Sequence, residues 1–235
     1  MPVYKRIILR LSGETLSGAQ GTCYEEARIM ETAAVILKIA VGGTQVGVVM
    51  GGGNIWRGRL SKEMDAVNAD QMGMLATIMN AIAVQDAIIR LGGKATVFSA
   101  QEMTRFARLY TREDALNCLN SGGIALLSGG SGNPFFTTDT AAALRAAELK
   151  ADAVLKGTTA EGVMDDDPRV NPNARLVPDA TYDEVISKSL KVMDTAAFLI
   201  CKEQKVPVIH VFSMEKLENI IRVTQGEIIG SVVHL

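Results

Sequence analysis

Short apolar runs alternate with longer helix-like stretches along the chain, and this alternation limits the possible folds more than any other feature. Strands are predicted at Tyr4–Leu11, Gln45–Met50, Ala95–Ser99, Ile124–Ser128, Ala153–Lys156 and Val208–Phe212. Helices are predicted between them, at roughly Glu25–Val41, Ala69–Leu91, Thr111–Gly122, Asp139–Leu149 and Thr195–Glu203. Such alternation favours a mostly parallel sheet with helices on both faces. The chain is therefore predicted to be α/β, a three-layer αβα sandwich around a central mostly parallel sheet.

An irregular stretch, Gly157–Ala180, interrupts this alternation. It carries three of the six prolines, Pro168, Pro172 and Pro178, beside the run Asp165–Asp167. Long loops of this kind inside a compact domain are usually functional or mobile. No internal repeat or break in composition divides the chain, so residues 1–235 are predicted to form a single domain.

Charge and composition exclude several classes of function. The 24 Lys and Arg residues nearly balance the 26 Asp and Glu residues, and aromatic residues make up only 5%. Because neither a basic surface nor an aromatic stacking platform is indicated, we expect no nucleic-acid partner. The apolar run at Ala33–Val41 is broken by Lys38 and falls short of the ~18 residues that cross a bilayer, so no membrane partner is expected.

Cysteine and histidine are scarce. Cys23, Cys118 and Cys201 are odd in number and far apart, which argues against a disulfide framework and favours reduced thiols in the cytoplasm. With only His210 and His234, the chain has no zinc-binding HExxH helix and little room for a histidine-centred triad. We therefore predict no metal held by the protein itself.

Glycine-rich loops follow three of the predicted strands, at Ser12–Glu14, Gly51–Asn54 and Gly129–Asn133. None of them matches the GxxxxGK(S/T) or GxGxxG pattern of the common nucleotide-binding loops. Glycine nevertheless lets backbone N–H groups approach a phosphate closely, and a following helix start adds a positive dipole. One such loop is more often a tight turn, but three at the carboxyl edge of one sheet predict a site for several phosphates.

Charged residues cluster at the same predicted edge. Arg10 and Lys156 end strands and Arg57 follows the second glycine run, so these cations are interpreted as phosphate ligands. Asp139 lies where a helix begins and by itself is best explained as a cap, but beside several cations a carboxylate can hold them in position. Asp194 is placed similarly, before the last predicted helix.

Five segments together resemble the amino acid kinase family. Within it, they are similar to the bacterial branch whose members make UDP from UMP and ATP, and the resemblance runs from Tyr4 to about Gly230. The run Asn133–Asp139 is the most specific of these segments. The segments are Ile8–Glu14, Gly51–Gly58, Asp70–Thr77, Gly132–Asp139 and Lys191–Asp194.

The resemblance implies an amino acid kinase-like fold and a role for each matched residue. ATP would be bound by Arg10, Leu11, Ser12, Gly13, Gly53, Arg57, Lys156, Thr158, Met164 and Asp167. UMP would be bound by Gly52, Asp70, Ser131, Gly132, Asn133, Pro134, Phe135, Phe136, Thr137 and Thr138. The catalytic set would be Arg10, Arg57, Asp139 and Asp194.

The resemblance also implies how the chain is organised and regulated. UMP would bind mainly to the N-terminal part and ATP mainly to the C-terminal part, with Mg²⁺ carried mainly by ATP. The acceptor is already an ionised phosphate, so the reaction needs alignment and charge stabilisation rather than a strong base. Relatives further imply a homohexamer and feedback by UTP.

Arg10 departs from the family pattern, which usually has lysine there. Guanidinium and ammonium differ in width and hydrogen-bonding geometry, but we expect the arginine to support catalysis. Two alternatives remain open at this point. The chain could phosphorylate a carboxylate substrate, as other members of the family do, or it could be a nucleotide-binding sensor with impaired catalysis.

Overall fold

A nine-stranded sheet forms the centre of the protein, in a computed structural model that describes residues 2–18, 23–58, 63–166, 170–171, 173–190 and 192–235. The strands within these ranges run in the order β4-β3-β5-β2-β1-β6-β8-β9-β7. Their bounds are β1 (Arg6–Leu11), β2 (Gln45–Met50), β3 (Ala95–Ser99), β4 (Arg108–Leu109), β5 (Ile124–Ser128), β6 (Ala153–Thr158), β7 (Asp179–Thr181), β8 (Val208–Ser213) and β9 (Ser231–His234).

Helices cover both faces of this sheet. They are α1 (Glu26–Val41), α2 (Ala66–Arg90), α3 (Arg112–Asn120), α4 (Thr138–Leu149), α5 (Tyr182–Ser187), α6 (Thr195–Glu203) and α7 (Asn219–Thr224), with a 3₁₀ turn at Gly13–Leu16. Along β1, Ile7 and Leu9 pack in the core under α1, α2 and α7, whereas Ile8 packs in the core under α3 to α6. Because successive strand side chains point to opposite faces, this division confirms the predicted three-layer sandwich.

The parallel pairing of the central strands sets the register of the charged residues. Every strand pair in the described sheet is parallel except β8–β9. Arg10 on β1 lies opposite Lys156 on β6, which places these two cations side by side at the carboxyl end of the sheet. The fold therefore concentrates positive charge where the glycine-rich loops leave their strands.

The sequence patterns missed the short elements. Strands β4, β7 and β9 and helices α5 and α7 are two to six residues long, too short for a periodic pattern to identify. At the start of α3 the capping box is incomplete, since the Asp114 carboxylate accepts a bond from the Thr111 hydroxyl instead of reaching back to the backbone. The complete box lies at Thr181 and Glu184, where it begins α5.

Helix α2 is long and apolar. It is 25 residues long, and an 18-residue window within it reaches a mean hydropathy of 1.5, enough to cross a membrane by length and composition alone. One side of the helix packs on the sheet through residues such as Val84 and Ile88, and it buries the polar side chains of Thr77 and Asn80. These contacts are those of a helix covering a sheet.

His210 makes the stability of the fold depend on pH. Its ring is buried, Nε2 lies 2.8 Å from the carbonyl oxygen of Ile229, and Nδ1 has no hydrogen-bond partner. Burial lowers the pKa of His210 from its ordinary value of 6.5, although the bond to Ile229 opposes this shift. The folded state therefore binds fewer protons than the unfolded state, and its stability falls as the pH drops below 6.5.

We expect His210→Gln to reduce this pH dependence, because glutamine can donate to Ile229 but does not titrate. The free energy of unfolding in urea at pH 7.5 and pH 5.5 measures the effect. His234→Gln is the control, since hydrogen bonds raise the pKa of His234 and its contribution is lost as the pH rises. An unchanged pH dependence in His210→Gln would contradict the prediction.

Candidate active site

A cleft of about 560 Å³ opens at the carboxyl ends of β1, β2 and β5. Three glycine-rich loops contribute to its walls, as the sequence predicted, and the N-terminal half of α2 and the start of α4 complete them. The described residues that line it are Arg10, Ser12, Glu14, Gly51, Gly52, Gly53, Trp56, Arg57, Gly58, Ala69, Asp70, Gly73, Met74, Thr77, Gly130, Phe136, Thr137 and Thr138.

Asp139 holds two cations at the base of this cleft. Its side chain is 9% exposed, with Oδ1 2.7 Å from Arg10 Nε and Oδ2 2.5 Å from Lys156 Nζ. The Arg10 contact is an ion pair and not a directed hydrogen bond, because the angle at Nε is poor. Arg10 Nη2 also donates to Thr138 Oγ1 at 3.0 Å. Asp139 thus fixes the arginine at the cleft wall while balancing its charge.

Lys156 lies behind the cleft wall. Its ammonium is buried and donates to Asp139 and to the carbonyl oxygen of Val192. Burial lowers the pKa of Lys156, the Asp139 carboxylate opposes this, and the nearby Arg10 adds to the lowering. Because both described partners are protein atoms, Lys156 positions Asp139 in this structure and does not present its charge to the cleft.

Asp194 connects the starts of two helices. It occupies the N-cap position of α6, and its carboxylate accepts hydrogen bonds from the hydroxyls of Thr137 and Thr140. Thr137 in turn caps α4 by accepting from the Asp139 backbone N–H. Asp194 therefore supports Asp139 from behind, through Thr137, and is not among the described residues of the cleft wall.

The glycine-rich loop after β2 is fixed from α2. Asn80 Nδ2 donates to the Gly51 carbonyl at 2.7 Å and to Asn54 Oδ1 at 2.8 Å, and Asn80 is fully buried. One turn earlier, Thr77 Oγ1 accepts the Gly129 N–H at 2.9 Å. Two polar side chains of an apolar helix thus orient two of the predicted phosphate loops.

Arg57 reaches across the mouth of the cleft. Its Nη2 forms an ion pair with the Glu14 carboxylate, and its Nε donates to the Gly53 carbonyl at 3.0 Å. Both side chains are about half exposed, at 55% for Arg57 and 46% for Glu14. The guanidinium is therefore held by contacts that water already reaches.

Asp70 anchors the loop that precedes α4. Its Oδ2 accepts the Phe135 N–H at 2.7 Å, and Phe135 adopts a φ of 70°, a left-handed conformation that is strained for an aromatic residue. Phe135 is 73% exposed and is not among the described lining residues of the cleft, whereas Phe136 lines it. Ser131, Gly132, Asn133 and Pro134 belong to the same loop but are not among the described lining residues.

A second cleft, of about 520 Å³, adjoins the first. Ser12 and Glu14 line both, so the two clefts meet at the loop after β1. The remaining described residues of the second cleft are Thr15, Arg28, Gly157, Thr158, Thr159, Glu161, Ser213, Met214 and Glu215.

Three other predicted ATP ligands, Leu11, Gly13 and Met164, are not among the described lining residues of the two clefts. Leu11 is fully buried, and Gly13 is packed against the loop after β2. Met164 pairs with Leu176 in an isolated β-bridge and lines neither of the two clefts. Asp167 lies outside the described residues.

Comparison with known proteins places the chain in a family. Residues 5–213 match the amino acid kinase family, which is most of the chain. The chain belongs to the amino acid kinase family. Two relatives, the proteins named uridylate kinase from Bacteroides thetaiotaomicron and Parabacteroides distasonis, are each 46% identical to it over the full length of both chains.

Solved structures agree with this family membership. The UMP kinase from Bacillus anthracis superposes with a TM-score of 0.93 at 33% identity, covering 100% of this chain and 97% of that one. The UMP kinase from Ureaplasma parvum gives a TM-score of 0.89 at 32% identity, covering 98% and 99% respectively. The predicted amino acid kinase-like fold is therefore confirmed.

The predicted ligands did not include Glu14, Trp56, Thr77 or Asn80, whose side chains line the first cleft or hold its loops. Trp56 donates to the Ala69 carbonyl at 2.9 Å and so ties the second glycine-rich loop to α2. The sequence did carry a signal for Thr77 and Asn80, which are the only polar side chains in the stretch Met72–Val84 and lie three residues apart.

Proposed function

We propose that the chain transfers the γ-phosphoryl group of ATP to UMP, giving UDP and ADP for pyrimidine nucleotide synthesis. The observation that carries this proposal is that two clefts meet at Ser12 and Glu14, beside Arg10 and Arg57. Such a junction can align a phosphoryl donor with an acceptor that is itself a nucleotide. Full-length similarity to proteins named uridylate kinase supports the choice of UMP.

UMP would occupy the first cleft. Asp70 would accept hydrogen bonds from the ribose hydroxyls, and the loop from Ser131 to Thr138 would enclose the nucleotide. Gly52 and Arg57 would meet the acceptor phosphate at the mouth of the cleft, since both line it. Asp70 already accepts the Phe135 N–H, so its carboxylate would couple the loop from Ser131 to Thr138 to the ribose site.

ATP would occupy the second cleft with its phosphates at the junction. Ser12, Gly13 and Gly53 would bring backbone N–H groups to the phosphates, and Thr158 would contact the adenosine side of the cleft. Leu11, Lys156, Met164 and Asp167 complete the proposed donor set, with Leu11 and Lys156 acting from beneath through the strands that carry them. The N-terminal part of a single domain would thus mainly bind the acceptor, and the C-terminal part the donor.

Catalysis would rest on alignment and positive charge. Arg10 and Arg57 would stabilise the charge that develops on the transferred phosphoryl group, while Asp139 and Asp194 would hold this arrangement in place. Among the described residues, no cluster of three or more His, Cys, Asp or Glu side chains could hold a metal ion. The Asp139 and Asp194 carboxylates are already engaged by protein donors, which suits a Mg²⁺ brought by ATP, where it would neutralise phosphate charge.

A substrate screen tests the proposal. The purified protein, with ATP and Mg²⁺, is given UMP, CMP, aspartate or acetylglutamate, and nucleoside diphosphate and acyl phosphate products are measured. We expect UDP from UMP and no acyl phosphate. Formation of an acyl phosphate would favour the carboxylate-kinase alternative, and nucleotide binding without turnover would favour a sensor.

Arg10 gives a sharper test of catalytic competence. We expect the natural protein to be active and Arg10→Lys to stay within about tenfold of it, because lysine keeps the charge beside Asp139 but loses the bond to Thr138. Arg10→Met, which removes the charge, should lose about 10²–10³-fold in kcat. An inactive parent that lysine restores would contradict the proposal.

Helix α2 supports self-association. Its outer side exposes apolar side chains at spacings of three, four and seven residues, which form one stripe along the helix. A stripe of this kind is suited to packing against the same helix of a second copy, and we propose that it contributes to a homohexamer. The stripe consists of Met72, Leu75, Met79, Ile82 and Ile89, all exposed in the single chain.

The double variant Leu75→Glu/Met79→Glu should therefore lower the mass in solution. Both side chains are exposed in the single chain, so folding should persist while the buried charges prevent packing between copies. Sedimentation measures the mass, and Leu199→Glu, at an exposed apolar position of α6, is the control. An unchanged mass in the double variant would contradict the proposed interface.

Two further properties belong to this proposal. UTP shares the uridine of UMP, so we propose that it inhibits by feedback through recognition of that group. We also propose that the enzyme works in the cytoplasm, where thiols stay reduced, because Cys23, Cys118 and Cys201 are all unpaired.

A further inference from the structure

Glu14 occupies an unexpected position for an acidic residue. It lies at the junction of the two clefts and lines both of them, where the proposed function brings donor and acceptor phosphates together. A carboxylate at this point repels phosphate groups unless a cation offsets its charge. The nearest described cation is Arg57, with which it forms the ion pair across the cleft mouth.

This ion pair occupies the side of Arg57 that suits a phosphate. Arginine binds phosphate best through two parallel N–H groups of its planar fork. In the described structure Nε donates to the Gly53 carbonyl and Nη2 pairs with Glu14, so the chain's own oxygens fill one edge of the fork. A phosphate that uses this edge must displace the Glu14 carboxylate.

The charged residues of the first cleft also indicate that the Arg57–Glu14 pair is the one that can separate. Its described lining holds two cations, Arg10 and Arg57, and two carboxylates, Glu14 and Asp70. Arg10 is fixed by the buried Asp139, and separating that pair would leave a buried carboxylate short of one partner. The Arg57–Glu14 pair is about half exposed on both sides and can separate at little cost in free energy.

We propose that Glu14 is a specificity-determining residue that competes with the acceptor phosphate for Arg57. In the empty site the Glu14 carboxylate neutralises the half-exposed Arg57 guanidinium. A dianionic phosphate group displaces this carboxylate, whereas a nucleoside without phosphate does not. This inference rests on the proposed function, because it takes Arg57 to be the ligand of the acceptor phosphate.

Removal of the carboxylate should then tighten phosphate binding. Glu14→Gln keeps the size of the side chain but removes its charge, and Arg57 remains held by the Gly53 carbonyl. If Glu14 instead served only to hold Arg57 in place, the same variant would bind phosphate more weakly. The sign of the change separates the two roles.

Calorimetric titrations of the full chain with UMP, uridine and inorganic phosphate provide the test. We expect Glu14→Gln to bind UMP and inorganic phosphate about fivefold more tightly than the parent, with uridine unchanged. In an Arg57→Gln background the gain from Glu14→Gln should fall below about twofold, because the shared partner is gone. Glu26→Gln is the matched control, since it removes the charge of an exposed glutamate 2.8 Å from Arg90, outside both clefts.

The outcomes are separable. Unchanged or weaker phosphate and UMP binding in Glu14→Gln overturns the inference, as does an equal gain in the Arg57→Gln background or in Glu26→Gln. If the parent binds no UMP, but Glu14→Gln binds inorganic phosphate more tightly than the parent does, the result contradicts the proposed function and supports the role of Glu14.

Discussion

Asp139→Asn should lower the rate of phosphoryl transfer by about 10²–10³-fold. The asparagine keeps the shape of the side chain but removes the charge that holds Arg10 and Lys156 at 2.7 Å and 2.5 Å. The two cations then repel each other without a carboxylate between them, and the Arg10 guanidinium loses the partner that aims it at the cleft. The pKa of Lys156, already lowered by burial, should fall further.

The same variant should lose about 3 kcal/mol in the free energy of unfolding, because it leaves buried positive charge uncompensated. Steady-state kinetics and urea unfolding measure the two effects. Asp86→Asn, on the exposed side of α2 and 3.8 Å from Arg90, should change neither. Full activity in Asp139→Asn would show that the charge cluster does not position Arg10.

Gly13→Ala should destabilise the fold about as much as Asp139→Asn does, but for a steric reason. A Cβ at this position would overlap the Asn54 side-chain oxygen and would lie 2.5 Å from the Gly51 carbonyl oxygen. That carbonyl cannot easily move, because Gly51 is bonded to Leu11 through its N–H and to Asn80 through its oxygen. We expect a loss of about 3 kcal/mol in the free energy of unfolding.

The activity of Gly13→Ala should also fall, by roughly 10²-fold, because the added Cβ forces apart the loops at the junction of the two clefts. Gly53→Ala is the matched control for stability, because a Cβ there would meet only Glu14 Oε1, at 3.8 Å. Thermal unfolding and steady-state kinetics separate the two variants. Equal stability of Gly13→Ala and Gly53→Ala would contradict the steric explanation.

The strands whose bounds the sequence predicted correctly lie inside the sheet, with a neighbouring strand on each side. The bounds were correct for β2, β3 and β5, because an apolar run between glycine or polar residues leaves little choice of where the strand begins and ends. The strands it missed, such as β4 with two residues, form only because a neighbouring strand offers hydrogen bonds. Nothing local distinguishes such segments from loops.

The candidate site likewise has features that the sequence could predict and features that it could not. The glycine-rich loops and the residues Arg10 and Asp139 could be predicted because strand ends of a parallel sheet meet at one edge. The hydrogen bonds of Asn80 to Gly51 and Asn54 could not, since they depend on how α2 crosses the sheet. The pairing of Arg57 with Glu14 likewise joins residues 43 positions apart, and no pattern in either segment indicates it.

The register that sets Arg10 beside Lys156 has a consequence for engineering. The two residues stand opposite each other on adjacent strands and share the oxygens of one carboxylate, so neither can be redesigned alone. A longer, shorter or neutral side chain at one strand end alters the electrostatic environment of the other through Asp139. Libraries that aim to change the chemistry of this centre should therefore randomise all three positions at once.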